Sequence, residues 1–262
     1  MTEKLVTIEK RGRVAIVRFD AGDKANALSL AVMEELTEAA RAFERDSEVS
    51  AVVLTGRADL FTLGFNLKDG ARVRARSLAE RRRLLAAGPR MCQTWEDLEP
   101  LTLVAIEGWC VGGGAALSVA CDLRVIGETA TFYVPEIERG MNMSWGSVPR
   151  IANLVGPARA KRIVIMAERV PAATALTWGL ADEIAPAGRV LDAALRMAER
   201  VAAMPPVQVR MCKAGINAYA NALAKAASAL DRDQYLLAQS SADHAEAVAA
   251  FFERREPKYT GD

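Results

Sequence analysis

The chain has 262 residues, 51% of them hydrophobic and 26% charged, with a formal net charge of +1. That balance supplies the core of one large or two small domains and leaves no electrostatic footprint for nucleic acid. The apolar run Gly108 to Cys121 stops at Asp122, too short to span a bilayer, so no membrane association is expected.

The N-terminal MTEKLVTIEK alternates charged and apolar residues and carries no apolar core of a secretory signal. Residues 5–9 and 13–19 read as a hairpin around Arg11-Gly12. A polar loop, Asp20 to Ala27, leads to Ser29, which can cap a helix reaching about Arg45 with Met33, Leu36, Ala40 and Phe43 on one face. Ala51 to Thr55 is a short buried strand, and Gly56 to Asn66 a loop. A basic helical stretch runs from about Val73 to Leu98. Its arginines, Arg72, Arg74, Arg76, Arg81, Arg82 and Arg83, read first as a solvated face and second as a dock for ligand phosphates.

Leu103 to Cys110 is the next predicted strand, followed by Gly112-Gly113-Gly114 and a small-residue helix, Ala115 to Cys121. Leu123 to Ile126 and Ala130 to Phe132 are further strands. Strands alternating with helices argue for an α/β fold with crossover connections. From Pro157 the pattern turns helical: Ala158 to Met166, Ala172 to Gly179, Val190 to Met204, then Val207 to about Gln239 after Pro205-Pro206. This alanine-rich tail reads as a helical cap and a subunit contact.

His244 is the only histidine, which excludes multi-histidine metal sites. It sits near the start of an amphipathic helix and reads as an exposed or capping residue. Cys92, Cys110, Cys121 and Cys212 have no CxxC spacing and read as free thiols of a reducing cytoplasm. Acid–base work therefore falls to carboxylates.

The glycine triplet carries the most information. Glycine lets backbone N–H groups approach a ligand closely, and the first N–H groups of a helix lack intrahelical partners and carry partial positive charge. Such a turn can hold negative charge developing on an oxygen. A dinucleotide fingerprint starting at Gly112 fails at Leu117, and no Lys-Ser/Thr follows to make a phosphate loop.

Five segments in order resemble the enoyl-CoA hydratase/isomerase (crotonase) superfamily. They are DKANAL (Asp23 to Leu28), LTGRADLFTLGFNL (Leu54 to Leu67), WCVGGGAALSVACDLRV (Trp109 to Val125), ATFYVPEIERGMNMSWGSVPRI (Ala130 to Ile151) and the terminal AFFERREPKYTGD. The resemblance implies a crotonase-like spiral of ββα repeats over residues 1–200 and a C-terminal helical region, 201–262, that trimerises. It implies an acyl-CoA thioester as ligand, no cofactor beyond the coenzyme A of the substrate, and a homotrimer or dimer of trimers in the cytoplasm. The backbone N–H groups of Phe65 and Gly113 would grip the thioester oxygen. Lys24, Ala25, Leu63, Asn66 and Leu67 would lie along the coenzyme A. The family's P-G-x-G-G-T after the PE glutamate is replaced here by Met143 to Val148, and the large, soft Trp145 and Met143 are expected to line the acyl pocket or pack under it. Arg254 and Tyr259 match positions that in some relatives reach a neighbouring subunit's ligand.

Departures from the family pattern sharpen the expectation. Hydratases of the family carry two glutamates that hold a water; here the second is Glu136, but Ala116 stands where the first belongs. One carboxylate beside an oxyanion hole suits a double-bond shift, so enoyl-CoA isomerisation with Glu136 as the acid/base is expected. Hydration, a lyase, hydrolase or decarboxylase reaction, and a weakly catalytic acyl-CoA binder are the alternatives. Glu138 reads as solvated or paired with Arg139, Asp122 as structural, and Asn142 or Ser144 as possible partners of a polar acyl group.

Overall fold

The computed structural model describes residues 4–262; the first three residues of the alternating N-terminal segment lie outside it. The hairpin forms as expected, β1 (Val6–Arg11) against β2 (Val14–Phe19), with Gly12 at φ +59° making the turn. Ser29 Oγ accepts from Val32 N and opens helix α1 (Leu30–Arg41), whose buried face includes Met33 and Leu36. β3 (Ala51–Thr55) is buried throughout and pairs parallel with β2.

The expected basic helix is broken in three: α2 (Leu67–Arg74), α3 (Leu78–Leu84) and α4 (Ala87–Glu96). Side-chain caps explain the starts of the first two. Asn66 accepts from Lys68 and Asp69 N–H, and Ser77 and Glu80 form a reciprocal capping box. Arg81 and Arg82 do not stand free: they bond Gln239 and, through two nitrogens, Asp233.

The strand expected at Leu103 to Cys110 is two strands in two sheets. β4 (Leu101–Ile106) joins the first sheet, and β5 (Trp109–Val111) begins the second after a break at Gly108, φ +60°. A side chain there would meet Asp59 O at 2.6 Å, so only glycine allows the crossing. Helix α5 (Gly113–Ser118) follows, then β6 (Leu123–Gly127) in the first sheet and β7 (Thr131–Tyr133) in the second.

Helices α6 (Ser147–Val155) and α7 (Pro157–Val164) precede β8 (Val170–Pro171), α8 (Ala172–Trp178), β9 (Glu183–Ala185) and α9 (Val190–Ala202). α6, β8 and β9 escape the sequence reading; the two strands are only two and three residues long. The six-stranded sheet has the order β1-β2-β3-β4-β6-β9, parallel except for the hairpin; the three-stranded sheet is β5-β7-β8. A single bridge, Thr62 to Cys110, carries the loop after β3 onto the second sheet too. Successive turns of chain therefore place one strand in each sheet before a helix, which is the ββα spiral of a crotonase fold.

Beyond Pro205 the expected long helix is α10 (Pro206–Ala220), α11 (Ala224–Ser228) and α12 (Asp231–Ala238), followed by α13 (Ala242–Glu253). α10 is pinned to the sheet by Lys213, whose buried Nζ lies 2.7 Å from Asp122 Oδ2 and donates to Pro100 O at 2.9 Å. Asp122 also accepts from Thr102 N and Oγ1, so it is structural, as read. Removing one member of a buried pair leaves an uncompensated charge, costing about 3–5 kcal/mol. Lys213→Ala is expected to lose about that much unfolding free energy in urea titration; a loss below about 1 kcal/mol would mean that water reaches Asp122.

Candidate active site

The second sheet, the loop after β3 and the starts of α2 and α5 converge on a cleft of about 860 Å³. Leu28 N donates to Gly64 O at 2.9 Å and Leu28 O accepts from Asn66 N at 3.1 Å. In this parallel bridge the flanking residues bond the partner strand, so the N–H of Phe65 between them points the other way. Gly64, at φ +95°, sits so tightly that a Cβ would lie 2.9 Å from Val111 O and 3.7 Å from Gly113 N. The Gly64–Phe65 peptide is thus set beside the Gly113 N–H, which as the first residue of α5 has no intrahelical partner.

Glu136 follows β7 and Pro135 and opens the 3-10 turn Ile137–Arg139. Its carboxyl lies against Gly112: a Cβ there would stand 2.5 Å from Glu136 Oε1. Gly112 has φ +51°, so both the space and the backbone demand glycine. Oε2 is buried without a hydrogen-bond partner among the described residues. Burial pushes the carboxyl up to about 7, against smaller lowering effects of a backbone hydrogen bond and the Arg139 guanidinium. A carboxyl poised near neutrality accepts and returns protons with little driving-force penalty.

Ala116 is buried on the same cleft, one helical turn along α5, and provides no proton acceptor. Glu138 pairs with the Tyr133 hydroxyl rather than with Arg139. Its carboxylate and burial together push the Tyr133 phenol up to about 12, burial being the larger cause. Arg139 instead stacks its guanidinium 3.4 Å above the Phe251 ring centroid.

Of the residues expected along the coenzyme, Ala25, Leu63, Asn66 and Leu67 line the cleft. Asn66 spends its side-chain oxygen on capping α2, and Lys24 is exposed and off the lining. Met143 and Ser144 line the cleft, while Asn142 turns its amide toward Asp231 O at 3.5 Å. Trp145 lies across the cleft with Phe65 edge-on to it, ring centroids 6.3 Å apart.

His244 corrects its sequence reading. It is buried, not exposed, on a helix capped by Ser241, and its Nδ1 lies 2.7 Å from Arg139 O. A side chain on Gly140 would hit His244 Cα at 2.7 Å. α13 thus clamps the turn that carries Glu136. Sequence reasoning also missed Gly88 of α4 and the cleft residues Arg232, Tyr235, Val248, Phe251 and Phe252. A lone glycine inside the helical pattern was a usable signal for Gly88; the apolar helix face and terminal motif that hold Val248, Phe251 and Phe252 were visible, but nothing aimed them at the cleft, and Arg232 and Tyr235 had no signal.

The model of the family described as enoyl-CoA hydratase/isomerase matches residues 9–262. The chain belongs to this family. It is 29% identical over 251 residues, 95% of each chain, to a short-chain-enoyl-CoA hydratase of Clostridium acetobutylicum. It is 27% identical over 264 residues, the full length of both, to a 2,3-dehydroadipyl-CoA hydratase of Escherichia coli. Its fold superposes on an enoyl-CoA hydratase/isomerase from Xanthobacter autotrophicus with a TM-score of 0.87 at 27% identity, covering 96% of this chain and 94% of that one. Membership makes the chain an acyl-CoA enzyme of this family.

The Glu136 carboxyl has a measurable thermodynamic signature. A carboxyl whose folded pKa is about 7 instead of 4.5 keeps its proton longer in the folded chain. Folding therefore loses stability as pH rises from about 4.5 to about 7, by about 3 kcal/mol in all, with no further loss above. Glu136→Gln is expected to gain about that much relative to the parent between pH 4 and pH 8 in chemical unfolding. A pH-independent difference would show that the carboxyl is solvated.

Proposed function

We propose that the chain shifts the double bond of an enoyl-CoA thioester, with Glu136 as the single acid/base and the Phe65 and Gly113 N–H groups as the oxyanion hole. The observation that carries this reading is the pairing of a buried, neutral-range carboxyl with an apolar Ala116 on the same cleft. Hydration needs a second group to orient water, whereas a shift needs one base. Ionised Glu136 removes a proton from C2 of a 3-enoyl thioester, and the electrons move onto the carbonyl oxygen as a dienolate. The two N–H groups hold that charge, each worth roughly 2.7–4 kcal/mol in the transition state. The protonated Glu136 returns its proton at C4, leaving the 2-enoyl thioester; no atom is gained or lost.

Hydration is the second reading, and the names of the two relatives favour it. A conjugated thioester absorbs in the ultraviolet where its 3-enoyl isomer and its hydrated product do not. Incubation with a 3-enoyl-CoA is expected to raise that absorbance, and Glu136→Gln to lower kcat at least about 1,000-fold with little change in KM. A falling absorbance with a 2-enoyl-CoA, and none rising with the 3-enoyl compound, would establish the hydratase instead.

The catalytic unit is proposed to be a homotrimer or a dimer of trimers, needing no cofactor beyond the coenzyme A of its substrate, at work in the cytoplasm. Supporting assembly, α10, α12 and their connection expose Val207, Met211, Ile216, Tyr219, Leu223 and Leu237. That many large apolar side chains left exposed along one helical region fit burial against another subunit. Light scattering coupled to gel filtration is expected to give a multiple of three times the 28.2 kDa chain; a monomer would refute the assembly.

A further inference from the structure

Trp145 is held in a conformation that a bulky residue adopts only where its surroundings impose it. Its φ is +61°, and Gly146 follows at +67°. Two hydrogen bonds fix this double left-handed turn: Arg150 Nη1 donates to Trp145 O at 3.0 Å, and Gly146 N donates to Asp231 Oδ2 at 2.9 Å. Arg150 is itself buried and gripped by both oxygens of Glu96, at 2.7 and 2.9 Å. Helices α4, α6 and α12 thus all support one turn.

The turn delivers the indole onto two bare patches of backbone. A Cβ on Gly88 would lie 2.1 Å from Trp145 Cε2, and one on Gly113 would lie 2.6 Å from Cζ3. The fused bond of the ring therefore rests on α4 and its outer edge reaches the oxyanion-hole residue. Adjacent glycines carry the two walls: the Glu136 carboxyl abuts Gly112 and the indole abuts Gly113. A thioester oxygen bonded to the Gly113 N–H leaves its α-carbon between carboxyl and ring.

We propose that Trp145 is the specificity-determining wall of this site, that it limits the space beside the α-carbon, and that the site accepts acyl groups unbranched there. The inference rests on the acyl-CoA reading but not on which reaction is catalysed. Its test therefore uses saturated thioesters, which undergo neither the double-bond shift nor hydration. Propionyl-CoA and isobutyryl-CoA differ by one methyl on the α-carbon, and calorimetric titration of the full chain compares them.

The parent protein is expected to bind propionyl-CoA about 10-fold more tightly or better, since one methyl in a fitted pocket is worth that ratio. Trp145→Ala is expected to bring the two within about 2-fold of each other, and Trp145→Phe, which keeps a ring on Gly88, to fall between. Equal affinities in the parent, or an unchanged ratio in both variants, would overturn the inference while leaving the acyl-CoA reading intact. Should Trp145→Ala fail to fold, the Phe variant decides: an unchanged ratio overturns the inference, and a reduced one supports it. Failure of the folded parent to bind either thioester would overturn the acyl-CoA reading itself, and this inference with it.

Discussion

The close approach of bare backbone at Gly64, Gly112 and Gly113 is the constraint on which the site depends. Gly64 packs where a Cβ would be 2.9 Å from Val111 O, Gly112 where it would be 2.5 Å from the Glu136 carboxyl, and Gly113 where it would be 2.6 Å from the Trp145 ring. Each contact serves a different part of the proposed chemistry: the oxyanion hole, the base and the acyl wall. All three require that the strand before the glycines leave the first sheet. Gly108 provides that exit, and the second sheet then aligns β5 with β7, so that Pro135 and Glu136 emerge beside Gly112. A methyl at any of these glycines would separate groups that must touch.

Two costs accompany the arrangement. Holding Glu136 away from water raises its pKa and makes its ionised form expensive, which is also what suits it to the proposed role of base near neutrality. The left-handed Trp145 adds about 1–3 kcal/mol of backbone strain. Both are met by polar groups buried outside the reacting space. Arg150 and Glu96 form a two-pronged ion pair under the Trp145 turn, and His244 ties α13 to the carbonyl of Arg139. The C-terminal helices are therefore part of the site's framework, since α12 supplies Asp231 and α13 supplies His244.

Much of this was legible in the residues because it depends on local rules. Ser29 marked the start of α1, Arg11-Gly12 the hairpin turn, and the uninterrupted apolar run at Ala51 a buried strand. The glycine triplet and Pro135-Glu136 could be placed by family resemblance, and the cleft is lined by Gly112, Gly113, Pro135 and Glu136. What escaped depended on tertiary contact. The break at Gly108 lies inside an apolar run with no change of period, so one strand was expected where two sheets meet. His244 follows an N-cap and looks exposed by position, but the turn at Gly140 fits against it. Gly88 has meaning only once the ring of a residue far along the chain lies on it. Lys24 shows the converse: the loop is placed as expected, but its side chain faces solvent outside the cleft.

The substitution of alanine for a glutamate at position 116 changes more than a count of carboxylates. A second acid one helical turn into α5 would lie in the same buried cleft as Glu136, and two like charges there would push one proton affinity still higher. A water held between them would partly hydrate both. With Ala116 that water has only one carboxylate to orient it, and the space between the walls stays apolar, lined by Ala116, Met143, Phe65 and Trp145. Such a space disfavours hydroxide-like species and favours a delocalised dienolate whose charge rests on two N–H groups. In the proposed reaction, excluding water also keeps the abstracted proton on Glu136 until it is returned. The proposed double-bond shift is the chemistry that asks for no polar participant here beyond a carboxyl and an oxygen.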